Sequence, residues 1–296
     1  MYCRSCGLLN YRSAGFCTTG TTITRGGELK KNKRVGMLMD ELLQNPCKLY
    51  ESRHFCDKYG IAKSSLSEDI KLINEILHDN GSGRIESIQG VGGGIRYIPG
   101  ISRERIRELQ EELIEALSDT TRMLGGKYLY TSDIMFNGHF NTGIARIFAQ
   151  KFQSLGADYV VTVETKGIGI ASQTAFMLGL PLIIIRREAK YSEGSTVSIN
   201  YFSGTDEHIQ KMSIAKRAVK PGSKAIIIDD FMRGGGSLKG IHDILGEFDV
   251  ETVGIGVALE SRMPAKKKVS DYTSVLIIED IDEENRVISI TANEDL

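Results

Sequence analysis

The chain has no apolar run near the roughly 20 residues that cross a bilayer, and its N-terminus lacks the positive segment and apolar core of a secretory signal. A cytoplasmic protein with no membrane partner is the expectation. Net charge is also missing: 37 Lys and Arg against 38 Asp and Glu leave −1, which disfavours nucleic acid only if the charges are evenly spread. They are not. Lys30, Lys31, Lys33 and Arg34 cluster ahead of the first helical pattern, whereas Glu279, Asp280, Asp282, Glu283, Glu284, Glu294 and Asp295 load the C-terminal end. That asymmetry is the footprint of a DNA-binding head on a near-neutral ligand-binding body. With 296 residues, 41% hydrophobic and 25% charged, there is enough chain for two ordinary globular domains.

Cysteine is scarce, at five, and three of them (Cys3, Cys6 and Cys17) fall in residues 1–29. A C-x-x-C with one further cysteine lacks the fourth ligand of a zinc ribbon, so no metal site is expected. Residues 1–29 are expected to be an extension outside the native structure. Arg25-Gly26-Gly27-Glu28 can be encoded by AGAGGAGGTGAA, which contains a ribosome-binding sequence, and Leu29 by a TTG start codon. Intact mass of the protein from its own host tests that start.

Residues 30–100 have the pattern of a winged helix. Val35, Leu38, Met39, Leu42 and Leu43 recur at helical spacing and stop before Asn45-Pro46. A second helical stretch, 49–59, turns Phe55 and Tyr59 inward and ends at Gly60. The third opens in residues 61–69 and aligns Leu66, Ile70, Ile73 and Leu77. Helix, glycine turn and helix form a DNA-reading unit. Lys63, Ser64, Ser65, Ser67 and Lys71 sit near the start of the third helix, where short polar and basic side chains approach phosphates and base edges. Residues 84–97 alternate like two strands around a turn at 90–94, with Arg84 and Arg96 as basic wing residues. A dimerisation module whose serines merely cap helices is the plainer alternative.

Pro99-Gly100 leads into the body, residues 101–296. Ile106, Leu109, Leu113 and Leu117 stripe a charged helix over 102–117, for packing on the body or across a dimer. Beyond Gly125-Gly126 lie a short strand at Tyr128-Leu129-Tyr130 and a cap-like Asp133, then a helix over 142–152. The strand 159–163 runs into Glu164-Thr165-Lys166-Gly167-Ile168-Gly169 and a further helix, and a lysine-glycine turn at a helix N-terminus is an anion site. As a dinucleotide fingerprint the match is weak, because the third small residue is missing. Strand 181–185 ends at Arg186, Arg187, Glu188, Ala189 and Lys190, and 196–201 alternates as a hairpin strand. A basic strand end is often only a solvated edge.

Residues 225–240 organise the rest. An apolar run meets Asp229 and Asp230, then Phe231, Met232, Arg233, Gly234, Gly235, Gly236 and Ser237 lead into a helix over 238–248. The run has the look of a buried parallel strand, and the glycines leave backbone N–H groups at a helix N-terminus, a nest for phosphate. Two acids beside it accept hydrogen bonds from adjacent sugar hydroxyls, which makes a ribose phosphate the inferred ligand. Strands at 252–259, 274–278 and 286–291 follow. Strand and helix units alternating at these lengths give an α/β class, a doubly wound and mainly parallel sheet with ligands at the carboxyl ends of its strands.

The acid pair, the variable residues after it and the Gly-Gly-Ser end resemble the phosphoribosyl pyrophosphate (PRPP) signature of type I phosphoribosyltransferases. AKSSLSEDI, EGSTVSINY and IIIDDFMRGGGS resemble the purine operon repressors of Gram-positive bacteria, a winged helix followed by a phosphoribosyltransferase-like domain that senses PRPP. The likeness runs from about Lys30 almost to the C-terminus. It implies a regulator without catalytic residues, with Thr165, Lys166 and Gly167 as the pyrophosphate loop and Tyr128 at the PRPP site, where a core tyrosine is the plain alternative. Arg187 and Lys190 become pyrophosphate partners. The resemblance also implies a homodimer on a palindromic operator, repression of purine biosynthesis genes, PRPP as effector alone or with Mg2+, and guanosine tetraphosphate (ppGpp) competing for the pocket. The alternative is an active purine or pyrimidine phosphoribosyltransferase with an appended head. Against it, a winged helix has no obvious use in base salvage, and no base-binding hood with its own acid-base group follows the signature.

Overall fold

The computed structural model describes residues 30–188, 194–202 and 209–296. The head packs α1 (Lys31–Gln44), α2 (Ser52–Tyr59) and α3 (Lys63–Asp79) against an antiparallel hairpin of β1 (Gly83–Ile88) and β2 (Gly94–Pro99). Its core is the expected apolar stripe: Leu38, Leu42, Phe55, Leu66, Ile73 and Leu77 are fully or almost fully buried. Burial of a large aliphatic or aromatic side chain contributes about 1.5–3 kcal/mol. Gly60 ends α2 at φ 64, the left-handed conformation that costs glycine least. The second helix is shorter than its sequence pattern suggests because Tyr50 pairs with Ile95 as a β-bridge, N–H to O both ways, and so extends the wing.

In the body, α4 (Arg103–Leu117) precedes a two-stranded hairpin of β3 (Met123–Leu124) and β4 (Tyr128–Leu129), then α5 (Ser132–Met135) and α6 (Gly138–Phe152). Ser102 caps α4 and Asn137 caps α6, each accepting backbone N–H groups of the first turn. Asp133 is no cap. It lies inside α5, where Arg122 grips its carboxylate with two bonds of 2.7 Å.

The main sheet contains β5 (Tyr159–Val163), β6 (Leu182–Ile185), β9 (Lys224–Met232), β10 (Glu251–Ser261), β11 (Tyr272–Asp282) and β12 (Val287–Ala292). Its order is β12-β11-β10-β9-β5-β6, parallel throughout except the β11–β12 edge pair. A separate hairpin, β7 (Thr196–Phe202) with β8 (Ile209–Ala215), lies on one face beside α8 (Gly236–Gly246), while α4, α6 and α7 (Ile168–Leu178) cover the other. Alternation along β9 divides the core between those faces: Ile226 and Ile228 join the α6–α7 layer, Ala225 and Ile227 the α8 layer. The doubly wound α/β expectation is met. Because β5 leads outward to β6 but β9 lies on its other side, the strand order reverses between β5 and β9, and a crevice opens there at the carboxyl ends.

Head and body touch directly. The Cys47 thiol donates to Met177 O at 3.3 Å, and where the chain enters the body Ile101 N–H is held by Gln150 Oε1 at 2.8 Å. Gly179, at φ +66, closes α7 against the head, and a Cβ there would lie 3.0 Å from Pro46 O.

Candidate effector site

Asp229 and Asp230 occupy the carboxyl-terminal part of β9, and residues 234–237 pass from it into α8. Gly235 stands at φ +76 as the residue before the helix, a conformation that leaves the first N–H groups of α8 unpaired within the helix and open to an anion. Across the crevice, β5 ends in Glu164-Thr165-Lys166-Gly167, whose Glu164–Thr165 peptide is cis. A Cβ at Gly167 would lie 2.8 Å from Thr162 Oγ1 and 2.9 Å from Asp229 Oδ1, so the two loops pack as closely as a glycine permits. Lys166 Nζ donates to Thr131 Oγ1 at 3.2 Å, which holds its ammonium beside the acid pair. Glu164 accepts from Arg187 N–H at 2.6 Å and pairs with Arg186 at 3.4 Å, fixing the adjoining basic segment.

Electrostatics at the pair are unusual. Burial, aided by the neighbouring Asp230, holds the Asp229 carboxyl well above the ordinary carboxylate range, and Arg187 draws it back only in part. Burial raises Asp230 as well, opposed by its bond with Asp229 and by Lys166. Two close, largely desolvated carboxyls stabilise poorly as two charges. They are primed for hydroxyl donors and nearby cations, which a ribose diol and a basic loop supply. Tyr128 stacks its ring on the Arg233 guanidinium at 5.0 Å, and a cavity of about 110 Å³ opens between Tyr128, Lys166, Asp230, Phe231 and Ile281. Phe231 is half-buried in that cavity, while Met232 is buried in the core under α8. A larger groove of about 540 Å³ lies between head and body, away from the acid pair.

The crevice thus gathers Asp229, Asp230, Phe231, Arg233, Gly234, Gly235, Gly236, Ser237, Thr165, Lys166, Gly167 and Tyr128, with Arg187 at its edge; Lys190 lies outside the described residues, as do residues 1–29. Sequence reasoning missed Thr131, the buried partner of Lys166, and Lys267, whose Nζ donates to Arg233 O.

In the head, Lys30, Lys31, Lys33, Lys63, Ser64, Ser67 and Lys71 are exposed on α1 and α3, and Ser65 is half-buried. Lys31 stands 3.7 Å from Glu68, a weak surface pairing. Arg34 differs: its Nε and Nη2 bond both oxygens of Asp69, at 2.6 and 3.0 Å, and Asp69 is fully buried. That guanidinium clamps α1 to α3. Arg96 pairs with Glu86 across the wing at 2.6 Å, and Arg84 shares with it a groove facing the body rather than the exposed surface of α3.

A flavodoxin-like order with an acid pair and a glycine-rich strand-to-helix turn at its switch point defines a phosphoribosyltransferase-type body, here joined to a winged helix. Residues 30–99 match the family described as bacterial purine repressor, N-terminal, and residues 132–293 match the phosphoribosyl transferase domain. Among curated relatives, the probable purine biosynthesis transcriptional regulator PurR of Streptococcus pneumoniae TIGR4 is 38% identical over 89% of this chain and 96% of its own. The purine biosynthesis transcriptional repressor PurR of Bacillus subtilis is 38% identical over 88% of this chain and 92% of its own. Lactococcus lactis IL1403 has a transcriptional activator PurR, 35% identical over 88% and 97%. The chain belongs to the family of purine biosynthesis transcriptional regulators.

Proposed function

We propose that the protein binds operator DNA through its winged helix, regulates purine biosynthesis genes, and leaves that DNA when its body binds PRPP. One observation carries the effector assignment: a diol-accepting acid pair, a phosphate nest and a lysine-bearing loop converge on one crevice, and PRPP has a diol, a phosphate and a pyrophosphate to match. Backbone N–H groups of residues 233–237 take the 5-phosphate. Asp229 and Asp230 accept from the ribose hydroxyls, and Lys166 with Gly167 faces the pyrophosphate. Mg2+ would come with the pyrophosphate, since this ion is commonly bound through substrate phosphates with few protein ligands. Polyphosphates such as ppGpp would compete for the same cradle. No helix among the described residues is long and apolar enough to cross a membrane.

A homodimer on a palindromic operator is the assembly this reading calls for, since two-fold protein symmetry matches two half-sites. Repression relieved by PRPP is the favoured sign; the relatives carry both repressor and activator names, and operator position relative to the promoter can set either outcome. The test is titration onto DNA upstream of the host's purine genes at fixed salt, with and without PRPP and Mg2+. Tight binding relieved by PRPP supports the regulator, and PRPP consumption on adding purine bases, without DNA binding, replaces it with an enzyme. Asp229→Ala/Asp230→Ala removes at least two charge-assisted bonds at about 1.5–3 kcal/mol each, so PRPP response should fall a hundredfold or more while DNA binding persists.

A further inference from the structure

The segment 262–271, between β10 and β11, packs behind the phosphate loop, and one of its lysines is buried there. Lys267 is only 6% exposed, and its Nζ donates to Arg233 O at 2.7 Å and to Ser261 O, the last residue of β10. Glu260 Oε1 lies 4.0 Å away and accepts from the Tyr272 hydroxyl at 2.7 Å, while its Oε2 accepts from the Ser274 hydroxyl at 3.0 Å. The next residue repeats the contact through backbone: Lys268 N–H donates to Gly234 O at 2.9 Å. Val269 packs 3.2 Å from where a Cβ on Gly235 would stand.

These contacts orient the nest. A trans peptide points its C=O and its N–H in opposite directions. With the Arg233 carbonyl turned back to Lys267, the N–H of Gly234 faces the other way. With the Gly234 carbonyl turned back to Lys268, so does that of Gly235. Two successive donors therefore point out of the packed side of the loop together, and the buried ammonium adds positive charge behind them. A lysine seated this way costs desolvation, and burial does lower its proton affinity against the pull of Glu260. The ammonium balances the buried Glu260 carboxylate on one side, and its bond to the Arg233 carbonyl ties that charge to the loop on the other.

Resting on the PRPP reading above, we infer that Lys267 is a positioning residue of the 5-phosphate subsite, holding the carbonyl of Arg233 so that the loop N–H groups meet the phosphate. It touches the loop and not the ligand. The consequence is specific to one end of PRPP: the pyrophosphate end is held by the Lys166 loop on the opposite wall and owes Lys267 nothing.

The test compares Lys267→Met with wild type by calorimetric titration of three probes: PRPP, ribose 5-phosphate and inorganic pyrophosphate. Expected is a weakening of PRPP and ribose 5-phosphate by the same factor, roughly tenfold or more, the loss of about one charge-assisted hydrogen bond. Pyrophosphate affinity should stay within about twofold. A general loosening of the fold would weaken all three probes, and that result overturns the inference, as does unchanged ribose 5-phosphate affinity. Should Lys267→Met leave Glu260 unpaired and the chain unfolded, Glu260→Gln/Lys267→Met removes both charges and carries the same expectation. If wild type binds none of the three, the PRPP assignment itself fails, and that failure shows before any variant is made.

Discussion

Arg34 sits in a basic cluster, yet its guanidinium is committed to Asp69, and the two roles separate cleanly by experiment. The perturbation is Arg34→Met, which keeps length and apolar contact but removes the fork. Asp69 has no exposure at all, and both its oxygens accept from Arg34. Leaving such a carboxylate without its partner costs about 3–5 kcal/mol, a large share of the 5–15 kcal/mol that stabilises an ordinary domain. Asp69→Asn should show a comparable loss, although Asp69 cannot reach DNA from the interior. The double variant Arg34→Met/Asp69→Leu should recover most of it, since an apolar pair needs no solvation.

Guanidinium chloride unfolding of the full chain reports the cost, and hydrogen exchange in α1 and α3 assigns it to the head. A phosphate contact has a different signature: removing it lowers the slope of log affinity against log salt by about 0.9 without moving stability. Arg34→Met with stability unchanged to about 0.5 kcal/mol and a reduced salt slope would refute the clamp and restore Arg34 to the DNA surface. By contrast Lys63→Ala and Lys71→Ala, on the open face of α3, should reduce that slope and leave unfolding alone.

Because both carboxyls of the acid pair are held above ordinary values, the folded chain keeps their protons to higher pH than the unfolded chain, and the pair's contribution to stability falls as pH rises through that window. Asp229→Asn should therefore raise the melting temperature at pH 8 while abolishing PRPP response; an unchanged or lower melting temperature would count against a burial penalty. Gly235→Ala forces a side chain into φ +76 beside Val269 and should cost about 1–3 kcal/mol in unfolding free energy, with ribose 5-phosphate binding weakened. Gly179→Ala pushes on Pro46 at the head–body contact and should reduce the PRPP-linked change in DNA affinity by roughly 0.5–2 kcal/mol, read as the ratio of DNA dissociation constants with and without PRPP.

Periodicity made most of this architecture legible, because the stripes at Val35–Leu38–Leu42 and Ile106–Leu109–Leu113 bury the residues that the spacing selects. The signature strand was equally plain, an isoleucine run ending in two acids. What escaped lacked a local pattern. Strand β8 is IQKMSIA, too mixed to alternate, and becomes a strand only by pairing with β7. The first turn of α6 begins at Gly138, a poor helix former, and depends on the Asn137 cap. Arg34 looks like its basic neighbours until Asp69, 35 residues away, is seen beneath it. Lys266, Lys267 and Lys268 are three adjacent lysines that nothing along the chain tells apart, although the side chain of the middle one is buried behind the glycine loop. Long-range pairing decides these cases, and spacing along the chain does not encode it.

The proposed link between the two sites would run through α7. At its start, Gly167 packs against Asp229; at its end, the Met177 carbonyl accepts from Cys47 and Gly179 abuts Pro46, both in the turn between α1 and α2. Eleven residues give a rod of about 16 Å between the proposed pyrophosphate loop and the DNA-reading head. A ligand shifts the equilibrium only by its differential affinity for two arrangements, so a displaced loop matters insofar as the head's seat on α7 differs between them. Linkage then fixes the reciprocal effect: whatever factor PRPP takes from DNA affinity, operator DNA takes from PRPP affinity. Competition of anionic ligand with DNA phosphates at the crevice satisfies the same equality but is blind to Gly179. A Gly179→Ala chain whose two ratios still agree, and are both smaller, places the coupling in the rod; ratios equal to wild type place it in direct competition.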